Sequence, residues 1–390
     1  MANNNKHTGP NVPALRFPEF SGEWKRYRVS DLLEFYPTNS LSWDQLEYDG
    51  NECLNLHYGL IHNGLPVQVD LSKDSLPSIK ADFFPKKYTL CQDGDIAFAD
   101  ASEDTNDVGK AIEFYNCAGK EAVCGLHTIH GRDKLGITVP GFKGYVFSSR
   151  VFHNQIKTIA QGTKVFSIKA SNFDEVVLSI PSKEEQTKIS KLLMAIDERI
   201  SAQSKIIEEQ ETLLKSLRDI LLKQSSSSSD HCRIGDILSI GNGKDYQHLN
   251  EGDIPVYGTG GLMCHVNESL YDGESVCIGR KGTINKPIFL KGRFWTVDTL
   301  FYTHSYKGVL PRFCYHLFCT IDWLTYNEAS GVPSLSKSTI EKIPVLIPTI
   351  EMQGKIVQIL DTIEEKVDTD RKTLQNYKNQ KAYLLSRMFI

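Results

Sequence analysis

No run of apolar side chains in this sequence approaches the ~18 to 20 residues that a helix needs to cross a bilayer, so a soluble chain is expected. The opening MANNNKHTGPNVP has neither the apolar core of a secretory signal nor the Arg-rich amphipathicity of a transit sequence, which points to the cytoplasm. The nine cysteines (Cys53, Cys91, Cys117, Cys124, Cys232, Cys264, Cys277, Cys314 and Cys319) are odd in number and contain no CxxC pair. That argues against a disulfide framework or a zinc ribbon and for reduced thiols. A surplus of one charge is missing too. Forty-four Lys plus Arg face 48 Asp plus Glu, a net charge of -4, so no global field draws the chain to nucleic acid and any such surface has to be local. What the chain has is size: 390 residues, 40% hydrophobic and 24% charged, enough for two or three separate cores.

Catalytic signatures are also lacking. GNGK (241 to 244) has the glycine-lysine pair of a phosphate loop, but Leu238 stands where the earlier glycine is needed and Asp245 where Ser or Thr is needed, so a turn is expected. The acidic stretch DGDIAFADASED (93 to 104) carries Phe98 at the glycine position of a calcium loop. A nuclease built on Asp95 and its neighbour Asp93 would place its acids on one local loop instead of on convergent elements. His127 and His130 are three apart, yet their flanks read as strand and turn and no further ligand joins them, so no metal is expected. The Asn or Asp, Pro-Pro, aromatic succession of an adenine methyltransferase is missing as well. The chain is expected to have no catalytic residues of its own.

What is present is a repeat. IPSKEEQTKISKLLMAIDERI (180 to 200) and IPTIEMQGKIVQILDTIEEKV (347 to 367) align without a gap, matching at Pro181/Pro348, Gln186/Gln353, Ile189/Ile356, Leu193/Leu360 and Ile196/Ile363 among others. A weaker echo links VSDLL (29 to 33) to IGDIL (234 to 238). From Ile189 and from Ile356 the apolar positions step by four and three, as in a heptad, through Leu221 and Met388. Gln203 and Gln210 in the first seam, and Asp370 and Lys381 in the second, interrupt it. Ser182 and Thr349 are the expected N-caps, and each helix should run about forty residues, or ~60 Å. Two such stripes are natural antiparallel partners, although each helix packing on its own domain is the plainer alternative.

Before each helix, short β-prone runs such as AIEFY (111 to 115), EVVLSI (175 to 180) and FWTVDTLFYT (294 to 303) alternate with turn residues. The expected class is therefore α+β: two mixed, β-rich domains at 1-181 and 231-347, long helices at 182-224 and 348-390, and a serine-rich linker at 225-230. Local charge is uneven. Arg280, Lys281, Lys286, Lys291 and Arg293 have no acid among them and alternate with Gly279, Gly282, Thr283 and Trp295. In the first half Arg132, Lys134, Lys143, Arg150, Lys157, Lys164 and Lys169 form a similar run. Such stretches let backbone amides and basic side chains reach phosphates while hydroxyl and Arg groups read base edges; a solvated basic face with turn glycines is the alternative.

Two β-rich domains, each followed by a repeated helix opening with Pro and an EQ or MQ element, resemble the specificity subunit of Type I restriction-modification systems over nearly the whole chain. LRFPEFSGEW (15 to 24), EEQTKISKLLMAIDERI (184 to 200), DGDIAFADASEDTNDVGK (93 to 110), GLHTIHGR (125 to 132), IPVYGTGG (254 to 261) and IGRKGTINKP (278 to 287) carry the likeness. The resemblance implies two target-recognition domains, each reading one half of a split, asymmetric double-stranded DNA site, with the helix pair as a ruler. It also implies a non-enzymatic chain acting with two methylation subunits and with restriction subunits; S-adenosylmethionine, ATP and Mg would be used by those partners. The motif positions nominated for DNA contact are Ser102, Thr105, Lys110, His127, Thr128 and Arg132 in the first half. In the second they are Lys244, Tyr257, Thr259, Arg280, Lys281, Thr283 and Lys286. A turn role competes for each. The runner-up function is a coiled-coil scaffold or protein-binding module.

Overall fold

The computed structural model describes residues 11–48, 50, 53–117, 119–224 and 230–390; the opening ten residues and the five serines of the expected linker lie outside the described residues. The chain forms two compact units, one holding the residues up to Ala202 together with Leu374–Ile390, the other Gln203–Thr373. The division falls inside both long helices.

Along the first unit run β1 (Lys25–Arg28), α1 (Val29–Leu32), β2 (Leu33–Tyr36), β3 (Leu46–Glu47), β4 (Leu54–Leu56), α2 (Tyr58–His62), β5 (Gln68–Asp70) and β6 (Ser78–Ile79). There follow β7 (Ile96–Ala99), β8 (Ala101–Ser102), β9 (Ala111–Tyr115), β10 (Ala122–Cys124), β11 (Thr128–Asp133), α3 (Lys143–Phe147), α4 (Arg150–Ile159), β12 (Phe166–Ser167), β13 (Val177–Ile180) and the start of α5 (Lys183–Gln224). The main sheet has the order β2-β11-β7-β9-β5. Its outer pair β5·β9 is parallel and the rest antiparallel. The central β7, IAFA, is buried along its whole length because both sheet faces are covered. Ile96 and Phe98 enter one core with Phe147, Phe152 and Phe173, while Ala97 and Ala99 enter another with Leu56, Val69 and Phe114. That is why this stretch reads as a continuous apolar run and not as an alternation.

The second unit carries the remainder of α5 and then β14 (Asp230–Arg233), α6 (Ile234–Ile237), β15 (Ser239–Asn242), β16 (Ile254–Gly258), β17 (Gly261–Val266) and β18 (Tyr271–Gly279). After these come β19 (Ile288–Thr296), β20 (Leu300–His304), α7 (Pro311–Phe318), α8 (Lys337–Lys342), β21 (Pro344–Ile347) and α9 (Ile350–Arg387). The sheet order is β15-β20-β18-β19-β16-β17, with β16·β19 parallel. Strand for strand this repeats the first unit: β15 stands for β2, β20 for β11, β18 for β7, β19 for β9 and β16 for β5. The weak echo noted in sequence is α1 and α6. Each follows a strand that pairs antiparallel with the strand leading into the next long helix, β1 with β13 and β14 with β21.

Both long helices start where expected. The Ser182 hydroxyl accepts the Glu185 N–H at 3.3 Å and the Thr349 hydroxyl the Met352 N–H at 3.4 Å, satisfying donors that a helix start leaves open. The helices span 42 and 38 residues. Their seams are buried at Ile189, Leu193, Ile196, Ile207 and Leu214, and at Ile356, Leu360, Val367, Leu384 and Met388. In the second unit Glu211 meets Arg371 at 2.6 Å and Arg218 meets Glu364 at 2.9 Å, so rising numbers along α5 face falling numbers along α9. The polar interruptions find each other: the Gln210 amide donates to the Asp370 carboxylate at 2.9 Å. In the first unit Asp197 of α5 binds Lys381 of α9 at 2.5 Å and accepts from the Tyr145 hydroxyl at 2.9 Å. The choice between helix pair and core helix resolves as both. Ile189, Leu193, Leu384 and Met388 belong to the first unit's main core, and Leu214, Ile356 and Leu360 to the second unit's.

Candidate functional site

In each unit the central strand of the sheet ends at the residues nominated from sequence. Beyond β7, the Asp100 N–H donates to the His127 carbonyl at 3.0 Å, and Ala99 exchanges backbone bonds of 2.9 Å with Gly109 and Lys110. This brings Ser102, Lys110 and His127 to one sheet end. His127 is exposed, at a φ of 54°, and its Nδ1 lies 3.0 Å from the Asp100 carboxylate. The Ser102 hydroxyl accepts the Asp104 N–H at 3.1 Å, which shapes the loop that carries the half-buried Thr105.

Beyond β18 the same bond recurs: the Arg280 N–H donates to the Thr299 carbonyl at 2.8 Å, as Asp100 does to His127. The loop that follows, between β18 and β19, holds Arg280, Lys281, Thr283 and Lys286, all exposed. Two glycines are required here. Gly282 has a φ of 93°, and a side chain on Gly279 would collide with the Thr283 carbonyl. Tyr257 and Thr259, both half-buried, join from β16 and the turn after it: the Val297 N–H donates to the Tyr257 carbonyl at 3.0 Å, and the Thr259 hydroxyl lies beside Gly282. Lys244 is exposed on the loop after β15, its backbone held by Thr296 and by the Trp295 indole N–H. All seven nominated residues of the second half therefore gather at one strand end.

The first half is less simple. Thr128 is buried at 5% exposure and its hydroxyl donates to the Gly125 carbonyl. Arg132 is bound twice by Asp95, at 2.8 and 2.7 Å, and stacks on Tyr36. Asp95 is 1% exposed and also bonds His130 at 2.8 Å. Burial alone would raise its carboxyl, but the Arg132 and His130 bonds outweigh that and hold it below the usual carboxylate range. Asp95 is thus committed internally, which removes it from the metal-dependent nuclease considered above. The basic run of this half is not one face either. Lys143 is 2% exposed, 3.6 Å from the fully buried Glu113, and Lys134 donates to the Ser30 carbonyl. Charges that must be buried need partners, and those of Arg132 and Lys143 come from residues distant in sequence.

Sequence reasoning missed an aromatic chain at the same end of the first sheet. Trp43, 44% exposed, lies on His57 with ring centroids 4.4 Å apart; His57 lies on Tyr58 at 4.8 Å, and Tyr58 meets His127 at 5.1 Å. His62, one turn along α2 from Tyr58, holds the Ala101 carbonyl at 3.0 Å. Burial, with some help from the charge of His127, lowers the His57 pKa. Only Tyr58 and His62, at i and i+4, carried any pattern in the sequence. In the second unit His316, Asp361 and Glu364 also cluster, but Arg312 and Arg218 already neutralise them, so that group has no charge left for a metal ion.

Residues 228–378 match the family described as the Type I restriction modification DNA specificity domain. The Type I restriction enzyme EcoprrI specificity subunit of Escherichia coli is 26% identical over 105 residues, 27% of this chain and 26% of that protein. The Type I restriction enzyme MjaIX specificity subunit of Methanocaldococcus jannaschii is 23% identical over 290 residues, 63% of this chain and 67% of its own. This chain thus matches about a quarter of the EcoprrI relative and two thirds of the MjaIX one. Among solved structures, the Type I restriction-modification S subunit from M. genitalium shares the fold with a TM-score of 0.63 at 16% identity, covering 97% of this chain and 99% of that one. A chain from a structure on complex assembly and conformational transition of the type I R-M system gives 0.56 at 12%, covering 93% and 96%.

Proposed function

We propose that this chain is a specificity subunit of a Type I restriction-modification system, reading a bipartite, asymmetric double-stranded DNA site and directing adenine methylation and restriction by partner subunits. One observation carries the reading. Two units on one chain share a five-strand order, to which the second adds β17, and in each the loop after the central strand carries nominated residues: Ser102, Thr105 and Lys110 in the first, Arg280, Lys281, Thr283 and Lys286 in the second. Two similar but non-identical readers on a single chain suit an asymmetric split site, whereas a true homodimer would enforce a palindrome. The helix pair then spaces the two readers.

In this proposal the target-recognition domains occupy 1-181 and 231-347, the spacer helices 182-224 and 348-390, and a linker 225-230. Arg280, Lys281, Thr283, Lys286, Lys244, Tyr257 and Thr259 face DNA from the second domain; Ser102, Thr105, Lys110 and His127 do so from the first. Arg132 and Thr128 act behind them, through Asp95 and the Gly125 turn. The chain contributes no catalysis and no cofactor. Two methylation subunits supply S-adenosylmethionine chemistry and restriction subunits use ATP and Mg, all in the cytoplasm. Among the described residues no helix is long and apolar enough to cross a membrane.

The test is genome-wide mapping of methylated adenine in cells carrying this gene with its neighbouring methylation gene, beside a deletion strain. The expected result is a split, asymmetric motif that disappears on deletion. An unchanged methylation map, with the methylation partner expressed and active, overturns the reading.

A further inference from the structure

Three side chains that ligate metals meet inside the first unit. Cys91 precedes β7, Cys124 ends β10 and His130 lies in β11, and they are 6%, 3% and 0% exposed. The backbone brings them together: the Cys91 N–H donates to the Ala122 carbonyl at 2.8 Å, and Leu90 bridges Val123, so Cys91 runs alongside β10. The two sulfurs are 3.7 Å apart, and both lie within 4.8 Å of an imidazole nitrogen of His130.

The imidazole is held in a particular way. Its Nε2 is 2.8 Å from Asp95, which Arg132 fixes in turn, while its buried Nδ1 has no hydrogen-bond partner among the described residues. A polar atom left unpaired in an apolar interior is costly, and buried polar atoms almost always have a partner. A carboxylate on one ring nitrogen, fixing the tautomer and freeing the lone pair of the other, is the arrangement found behind metal-bound histidines.

We propose that Cys91, Cys124 and His130 hold a structural Zn²⁺ ion. Two thiolates at ~2.3 Å from a tetrahedral ion stand about 3.8 Å apart, matching the sulfur separation here. Charge balances as well: two thiolates cancel the dication, and Arg132 cancels Asp95. Soft sulfur with one imidazole favours zinc over calcium or magnesium. Binding releases the two thiol protons, while the Nε2 proton stays on the hydrogen bond to Asp95. Three protein ligands leave one position of a tetrahedron for a neutral donor such as water, which keeps that charge balance. The site ties β10 and β11 to the segment that leads into β7. β7 is followed directly by β8, which carries Ser102, so the site's role would be to stiffen the first unit and not to take part in chemistry.

The experiment uses the full chain purified under reducing conditions without chelator. Elemental analysis should find about one zinc per chain. After stripping, titration with Co²⁺ should produce thiolate-to-metal charge-transfer absorption that Zn²⁺ abolishes. Cys91→Ser and Cys124→Ser should each bind neither ion, while Cys319→Ser, in the other unit, should bind both as the parent chain does. The cobalt titration needs only the parent chain, so misfolding of a variant does not blunt the test. The proposal is overturned if the stripped parent chain takes up neither ion. It is overturned equally if Cys91→Ser and Cys124→Ser retain binding, or if mass spectrometry of the purified chain finds a Cys91 to Cys124 disulfide in place of metal.

Discussion

Gln186 and Gln353 occupy the same site in the two halves of the chain. Both are 0% exposed. Each side-chain amide donates to the proline carbonyl just before its helix, Pro181 at 2.9 Å and Pro348 at 2.8 Å. Each also donates to a loop carbonyl, Ile137 at 2.9 Å and Gly308 at 3.0 Å. Each Oε1 accepts a backbone N–H, Val139 at 2.9 Å and Leu310 at 2.8 Å. The glutamine thereby fastens the first turn of the helix to a loop of its own domain. This gives physical content to the EQ and MQ elements of the repeat.

The first prediction follows from those three bonds. Gln186→Leu keeps the approximate volume but leaves the Val139 N–H and two carbonyls unpaired in the interior, a loss of about 2 to 5 kcal/mol. Gln186→Glu should be no better, because a carboxylate has no proton to give the Pro181 and Ile137 carbonyls. The corresponding changes at Gln353 should have the same sign. Urea unfolding midpoints check this, and shifts worth less than about 0.5 kcal/mol would remove the fastening role.

A second prediction concerns acid. Asp133 accepts hydrogen bonds from the Leu135, Gly136 and Thr138 N–H groups and from the Thr138 hydroxyl at 2.6 to 2.9 Å. Burial pushes its carboxyl upward, but these bonds, with the charge of Lys143, carry it below the ordinary value. A depressed folded pKa contributes stability that is present above the unfolded value of ~3.9 and is lost as pH falls through the folded one. Asp133→Asn should therefore lower stability at pH 7 by about 1 to 2 kcal/mol. Its gap from the parent chain should narrow below about pH 4. Denaturant midpoints at pH 7 and pH 3.5 test it, and a gap that widens in acid would reverse the sign.

How much of this was legible in the sequence depends on how far apart the partners lie. The helix seams were readable at Leu193 and Leu360 because a heptad is local, and the caps Ser182 and Thr349 because their donors lie three residues on. The fate of Arg132 was not readable, since its partner Asp95 is 37 positions away. Lys143, at the start of α3, reads in sequence as a member of a basic run, but Glu113 of β9 claims it. The pair Cys91 and Cys124, 33 positions apart, has no CxxC spacing, so the proposed metal triad left no mark. Likewise the Trp43 to His127 aromatic chain is assembled from three separate stretches, and only its α2 members had a period to betray them.

A third prediction separates base reading from phosphate binding in the second unit. Arg280 is exposed beyond β18, its carbonyl bound by the Leu335 N–H and its guanidinium 5.9 Å from the Phe301 ring and donating to the Asp298 carbonyl at 3.4 Å, so its position is fixed at the surface. Arg280→Ala should relax one base position of the site at about 1 to 3 kcal/mol. Lys286→Ala, as the loss of a phosphate contact, should weaken all sequences alike and reduce the slope of log K against log salt by about one. Competition binding with variant duplexes across a salt series reads both, and an unchanged sequence preference and affinity for Arg280→Ala would reject it as a reader.

The last prediction tests the spacer. α5 and α9 hold their register through Gln210 with Asp370 and Glu211 with Arg371, so an insertion near these pairs acts on the seam directly. Seven residues added after Ile207, with seven at the matching place in α9, keep the heptad phase and lengthen the pair by ~10 Å. Four residues added at the same place rotate the apolar stripe off its partner, exposing seam positions such as Leu214 that the present phase buries. If the helices set the distance between two half-sites, the seven-residue double insertion should retain methylation at a motif with the same halves and about three more base pairs between them, given one pair per ~3.4 Å. The four-residue insertion should lose methylation and lower the thermal unfolding midpoint. Retained methylation at an unchanged gap after the seven-residue insertion would mean that the distance is set elsewhere, because a rigid helix pair has no means of absorbing a further two turns.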